Sequence, residues 1–367
     1  MLCSREFRDA HEEEMMAAPT HEFVASLLDR SASAYANLAA RRLLGSHPDI
    51  AGRYGAQALA QWRFNLAQRV QELAAAIELQ APALFGEATR WSQETFAARD
   101  LPVQDVRASI DSLRDVLRAE LPQETTSLIE DSFASAFRAL DTPLSAPPGL
   151  DPRQPLHRLG LSYIEACLDG ESARATRIIL DAIDKGLSIP DACLDVLAPS
   201  MAEVGRLWHA GGLGIHEEHA VTETTQRILG LLSTTAARTP RNGKTVIGAT
   251  VQGNAHDMPV RIITLLFEYD GWKSVSLGTE LPPEDIANSV RDFGAHLAVM
   301  SATLLPHLRS MQRSIEAVRS VSPETRILVG GQAFTAAPEL ASIMGADALS
   351  SNARDVVSIG AKLVGLN

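Results

Sequence analysis

Cysteine is scarce in this chain. The 367 residues include three, Cys3, Cys167 and Cys193. They are too few and too scattered for a disulfide framework or a zinc knuckle, and they suit a reducing cytoplasm. Long apolar runs are missing as well. No stretch of about eighteen uninterrupted apolar residues occurs, so no membrane span is expected. Basic runs are shorter still: none exceeds Arg41-Arg42, and the formal net charge is -12. Such a surface offers little to offset phosphate charge, so direct nucleic-acid binding is not expected. The first residues, with Arg5, Glu6, Arg8, Asp9 and Glu12 to Glu14, lack the basic-then-apolar order of a signal peptide. They read as a flexible terminus over 1–19, and the expected location is cytoplasmic. What is present is ordinary for a globular protein, with 46% hydrophobic and 21% charged residues, and the length allows two or three domains.

Two stretches interrupt the periodic pattern. Asp141 to Pro155 holds Pro143, Pro147, Pro148, Pro152, Pro155 and Gly149, which cannot continue a helix, so 142–155 reads as a linker. Arg238 to Gly243, with Pro240 and Asn242-Gly243, makes the second cut. Residues 20–141 are expected to be a helical sensor or dimerisation domain. Its helices are Glu22 to Leu44, Gln57 to Glu78, Pro82 to Arg99, Val103 to Glu120 and Thr126 to Leu140. Val106, Ile110, Leu113, Val116, Leu117 and Leu121 recur at three and four and predict one buried face. Residues 156–237 predict a four-helix cap bundle of Leu156 to Leu168, Ser172 to Lys185, Ile189 to Trp208 and Ile215 to Leu232.

Residues 244–367 change character. Strand runs Thr245 to Val251, Lys273 to Leu277, Leu297 to Ser301, Arg326 to Val329 and Ala346 to Leu349 alternate with helical runs. Those are Pro259 to Tyr269, Pro282 to Phe293, Leu305 to Val318, Ala336 to Met344 and Ala353 to Leu366. Five strand–helix units in order predict a doubly wound five-stranded parallel sheet of flavodoxin or Rossmann type, with helices on both faces. Ligands on such a sheet bind beyond the carboxyl ends of the strands. Three loops lie there: Gly253 to Met258, Ser301 to Leu304, and Gly330-Gly331-Gln332.

The first of these loops carries His256. Its imidazole reads as a metal ligand whose other ring nitrogen Asn254 could hold, or as a solvated residue in a turn where Asn254 or Asp257 caps the helix from Met258. Ser301 and Thr303 read as ligand-binding hydroxyls or as helix caps. Gly330-Gly331 reads as a close backbone approach to a ligand or as ordinary turn chemistry. In the cap, Trp208-His209 closes one helix and Glu218-His219 opens the next across a glycine loop. Trp208 reads as a cover for something bound or as a lid on the bundle core. Glu217 and Glu218 also complement a helix dipole.

Together these features are more specific than apart. An Asp-Gly turn, Pro199-Ser200-Met201, Gly205, Trp208, Glu218-His219 and Thr222 are followed by a sheet domain with His256, Ser301 and Gly330-Gly331. The combination resembles the B12-binding module, the helical cap plus corrinoid-binding sheet of methionine synthase and of light-sensing cobalamin regulators. The spacing Trp208-x9-Glu218-His219 is similar to that of the light-sensing branch. The resemblance implies a cobalamin cofactor, adenosylcobalamin in first place and methylcobalamin or hydroxocobalamin as others. It implies His256 as the lower cobalt ligand, Trp208 over the upper ligand, and His209 as the upper ligand once light has expelled that group. Glu218 and His219 would lie near the upper ligand, and Ser301, Thr303, Gly330 and Gly331 around the nucleotide tail. The family's lower-face pattern Asp-x-His-x-x-Gly reads here Asn254-Ala255-His256-Asp257-Met258-Pro259. An amide replaces the carboxylate and cannot stabilise a charged imidazole as Asp does, though its oxygen can still fix the ring.

Residues 20–141 carry no DNA-binding helix-turn-helix signature. Trp91 and the run Leu101 to Leu121 resemble globin-like helical domains of bacterial stress-signalling proteins. His21 and His47 there read as structural rather than as haem ligands. The implied function is a non-enzymatic, B12-dependent photoreceptor that signals to a protein partner in transcription regulation, with a homo-oligomer as a further candidate. The alternatives are a corrinoid methyl carrier of a methyltransferase system and a degenerate B12-fold scaffold.

Overall fold

The computed structural model describes residues 20–144, 148–236 and 240–366. The terminus over 1–19 and Cys3 fall outside the described residues. Two compact units separate by contact density, one running to Phe96 and resuming over Pro102–Pro143, the other made of Ala97–Leu101 and the chain from Leu144 onward. Among the described residues no helix is long and apolar enough to cross a membrane.

The first unit is all helical: α1 His21–Ser46, α2 Pro48–Tyr54, α3 Ala58–Glu78, α4 Pro82–Ala98, α5 Val103–Glu120 and α6 Gln123–Asp141. Thr20 caps α1 by accepting the Phe23 N–H at 3.2 Å. The predicted face of α5 is buried from Val106 through Leu121. The short α2 was not expected. It starts because Pro48 takes a first-turn position, where its missing N–H costs nothing.

In the second unit the cap consists of α7 Pro155–Leu168, α8 Ser172–Asp184, α9 Ile189–Asp191, α10 Ala198–His209 and α11 Ile215–Ala236. Between α9 and α10, residues Ala192–Leu197 form a π turn. The uninterrupted α-helix expected from Ile189 to Trp208 is therefore corrected. Pro199 brings no N–H for the carbonyl four residues back, and the widened turn accommodates that loss. Tyr163 and Thr225 share a buried hydrogen bond of 2.6 Å inside the bundle.

The sheet is fully parallel with order β2-β1-β3-β4-β5. Its strands are β1 Thr245–Val251, β2 Lys273–Leu281, β3 Leu297–Ser301, β4 Arg326–Gly330 and β5 Ala348–Ser350. The connecting helices are α12 Met258–Tyr269, α13 Pro283–Phe293, α14 His307–Val321, α15 Leu340–Ile343 and, after β5, α16 Val356–Leu363. Every residue of β1 is buried, as a central parallel strand requires. Helix α12 is apolar nearly all round because it has two neighbours. Met258, Ile262, Leu265 and Leu266 join the cap core, while Phe267 packs with Trp272, Leu297 and Val299 of the sheet core. Gly248 lets this helix close on β1, since a Cβ there would lie 2.3 Å from Thr264 Cγ2.

Three expectations in this half are corrected. Strand β2 runs four residues past Leu277, with register shifts against β1 and Glu280 at φ 58°. Helix α14 begins at His307 rather than Leu305, after Pro306. The helix expected over Ala336 to Met344 shrinks to Leu340–Ile343, because Pro338 cannot supply an interior N–H. Parallel order 2-1-3-4-5 puts the topological switch point between β1 and β3, where a crevice opens at the carboxyl ends.

Candidate functional site

The loop leaving β1 at that switch point is tied on every side. Asn254 N–H donates to the Val251 carbonyl at 3.0 Å. The Thr250 hydroxyl donates to the Asn254 carbonyl at 2.6 Å and accepts the Glu280 N–H at 3.1 Å. The Asn254 side chain is fully buried. Its Nδ2 donates to the Ser301 carbonyl at 3.0 Å, across the switch point on β3. A carbonyl can only accept, so this bond fixes the amide and turns Oδ1 toward His256. Oδ1 accepts the His256 backbone N–H at 3.1 Å and lies 3.2 Å from its Nδ1. Nδ1 must then carry a proton, so in the neutral form of this exposed imidazole the lone pair lies on Nε2. Asn254 does not cap α12: its Oδ1 takes the N–H of His256, two residues before the helix begins, and the helix start has no side-chain cap. Asp257 does not cap α12 with its side chain; its carboxylate pairs with Arg261.

A second histidine, His307, was not singled out in the sequence. It is buried, its Nδ1 accepts the Leu304 N–H at 3.1 Å, and its ring also bonds the Gly253 backbone. Burial pushes its pKa down, the nearby His256 adds to this, and the Gly253 bond opposes both. A neutral imidazole thus staples the β1 loop to the β3 loop. Its position just after Pro306 looks like any helix start, so the sequence carried no signal for it.

The cap residues gather at the end of the bundle where α10 meets α11. Trp208 is 39% exposed and so is not sealed into the bundle core. His209 is half-buried and His219 exposed. Glu217 accepts the Gly214 N–H at 2.7 Å, a reach back over the first turn of α11. Glu218 accepts the Thr222 hydroxyl at 2.7 Å and stands 3.6 Å from His219 Nε2.

A cavity of about 180 Å³ opens at the carboxyl ends of β3 to β5, lined by Pro259, Ile263, Ser301, Gly330, Gly331 and Ser350 among others. Thr303 lies two residues beyond Ser301, partly buried. The glycine pair serves the protein's own backbone first. Gly331 has φ 107°, and a Cβ there would come within 2.1 Å of the Ala302 carbonyl oxygen; one on Gly330 would meet the Ser350 oxygen at 2.9 Å. Any side chain would push these loops apart and deform the cavity mouth. Among the described residues no group of three or more His, Cys, Asp or Glu side chains could hold a metal ion. The oriented imidazole of His256 and a cleft mixing apolar walls with hydroxyls and backbone would fit a metal that brings most of its own ligands. A corrinoid meets that description.

Comparison with known proteins points the same way. Residues 244–358 match the B12 binding domain, and residues 162–233 match a second model of that description. A corrinoid protein of Desulfitobacterium hafniense strain Y51 is 26% identical over 208 residues, 55% of this chain and 95% of that protein. Dimethylamine corrinoid protein 3 of Methanosarcina acetivorans is 25% identical over 197 residues, 53% of this chain and 87% of that one. The monomethylamine corrinoid protein of Methanosarcina barkeri shares the fold, with TM-score 0.50 and 17% identity over 56% of this chain and 98% of that chain. The fold is that of a helical cap on a corrinoid-type sheet. Residues 162–233 and 244–358 make up a B12-binding module. The relatives' names speak of corrinoid proteins and not of light sensing, and both family models leave out everything before residue 162.

Proposed function

We propose that this chain holds a corrinoid at the carboxyl ends of its strands and serves as the corrinoid-carrying component of a methyl-transfer system, with a methyltransferase as its protein partner. One observation carries the reading: buried Asn254 is fixed by Ser301 and in turn fixes the tautomer of exposed His256. A bound corrinoid supplies a cobalt centre able to accept and release a methyl group. His256 would hold the cobalt through Nε2 while Asn254 holds its Nδ1–H, and Ser301, Gly330 and Gly331 would take the nucleotide tail. The names of the relatives support this choice over the light-sensing one.

A second reading keeps adenosylcobalamin and light. It is favoured by Trp208, whose indole is too large a cover for a methyl group alone and is left 39% exposed. In that reading His209, Glu218 and His219 surround the upper ligand, and the partner is a regulator.

Reconstitution with methyl-, adenosyl- and hydroxocobalamin tests both. The expected result is retention of corrinoid through gel filtration with an absorbance spectrum of imidazole ligation. His256→Ala should remove that signature and weaken binding at least about tenfold, as loss of a metal ligand or its support does. Failure of the wild-type chain to retain any corrinoid would sink both readings. A light-dependent change in hydrodynamic size that Trp208→Ala abolishes would favour the second over the first.

A further inference from the structure

The stretch expected to be a free linker is anchored over its described C-terminal part, and the anchor lies on the helix that ends in Trp208-His209. Leu150 packs its side chain against the cap core. Its backbone N–H bonds the carboxylate of Glu203. Glu203 is buried and holds Arg206 through both oxygens, at 2.8 and 2.5 Å. Gly149 presses on the same pair: a Cβ there would lie 3.2 Å from Glu203 Oε2 and 3.3 Å from Arg206 Nη2. Past Leu150 the chain folds into a turn in which the Asp151 N–H donates to His157 Nδ1 at 3.0 Å and the Asp151 carboxylate takes the Arg153 guanidinium.

Glu203 and Arg206 sit on α10, Arg206 only two residues ahead of Trp208. A charge-assisted pair that also accepts a backbone N–H is among the stronger noncovalent ties a surface segment can have. A shift or rotation of α10 moves the indole and the Glu203–Arg206 clamp together, since the clamp lies within two turns of Trp208 on the same helix.

We propose that Pro148–Gln154 is a strap whose docking on α10 reports whether the module holds a corrinoid. The inference rests on the corrinoid reading above. With corrinoid bound, Trp208 gains a surface to pack on, α10 is held in one position, and the strap docks more firmly. Without it, α10 is freer and the strap releases more often.

Limited trypsin digestion of the full chain tests this, because the Arg153 side chain is 89% exposed while cleavage after it needs local release of the strap. Hydroxocobalamin-loaded protein is expected to be cut there roughly fivefold more slowly than corrinoid-free protein, since local opening sets the rate. Glu203→Gln should speed the cut in the free protein and erase the dependence on hydroxocobalamin. Gly149→Ala, which removes no group and touches no core, should do the same if Glu203→Gln folds poorly. Equal cleavage of loaded and free wild type, with corrinoid retained on gel filtration, would overturn the coupling. Wild-type rates in both variants would overturn the strap itself. Absence of retained corrinoid would overturn the functional reading and the coupling with it, and the corrinoid-free arm separates that outcome by reading docking alone.

Discussion

The two histidine-bearing ends of the module are built on opposite plans. The loop after β1 is over-determined. Thr250, Asn254, Ser301 and His307 fix its backbone and one ring tautomer before any ligand arrives. The turn between α10 and α11 is held by contacts along its own helices and by one distant side chain, Arg99, whose Nε donates to the His209 carbonyl at 3.0 Å, with Trp208, Ile215 and His219 left open to solvent. A ligand at the first end meets a finished geometry, and little ordering entropy remains to be lost there. In the proposed function, the second end would gain from its ligand the surface that orders its side chains, so that one end would hold and the other respond.

Breaking the rigid end should have the largest effect. Asn254→Ala removes partners from the Ser301 carbonyl and the His256 N–H in a buried setting, and a loss of about 3 kcal/mol is expected from leaving such groups unpaired. Urea unfolding of the corrinoid-free protein measures it; a change below about 1 kcal/mol would mean the loop is not pre-built. A control at the opposite edge of the sheet sharpens the contrast. Asp347 bonds Arg319 at 2.6 Å, Arg326 at 2.9 Å and the Ile327 N–H at 2.7 Å. Burial raises its pKa, but these partners outweigh burial and leave it below the ordinary carboxylate value. A depressed carboxyl contributes stability above its unfolded pKa and loses it as pH falls through the folded one. Asp347→Asn is therefore expected to cost about 2 kcal/mol at neutral pH and to flatten the acid limb of the stability curve, while corrinoid retention stays as in the wild type. The smallest effect belongs to the open end. Trp208→Ala should change corrinoid-free stability by no more than about 0.5 kcal/mol in the same unfolding assay. A loss several times larger would make Trp208 a core residue and erase the contrast.

Much of this was readable in advance because it rests on local chemistry. The apolar run Thr245 to Val251 can only be a doubly covered strand, and a histidine just beyond it must stand at the sheet's ligand-binding edge. Asn254 two residues earlier is within reach of the ring whatever the rest of the fold does. What escaped notice depends on long-range partners. His307 matters because Gly253 lies against it, and nothing near Pro306 announces that. The Glu203–Arg206 pair looks like any helical ion pair until Leu150 is found beside it. Strand β2 was expected to end at Leu277, whereas pairing with β1 and the bond that Thr250 accepts from the Glu280 N–H carry it on to Leu281. The shortened α15 was a local signal under-read, for Pro338 was visible. The glycine pair was placed at the strand ends, but its closeness to Ala302 and Ser350 is a property of the packed loops and not of the dipeptide.

The π turn at Ala192–Leu197 takes up one residue more than a regular helix would hold between Ile189 and Pro199. Its wider winding absorbs that residue, so α10 leaves the turn on the bearing an uninterrupted helix would have given it. Deleting one residue from the turn should restore a regular helix and leave Trp208, Glu203 and Arg206 on the same side of the cap. A further inserted residue, with no second widened turn to absorb it, would swing all three by roughly 100° about the axis, the angular step of one residue.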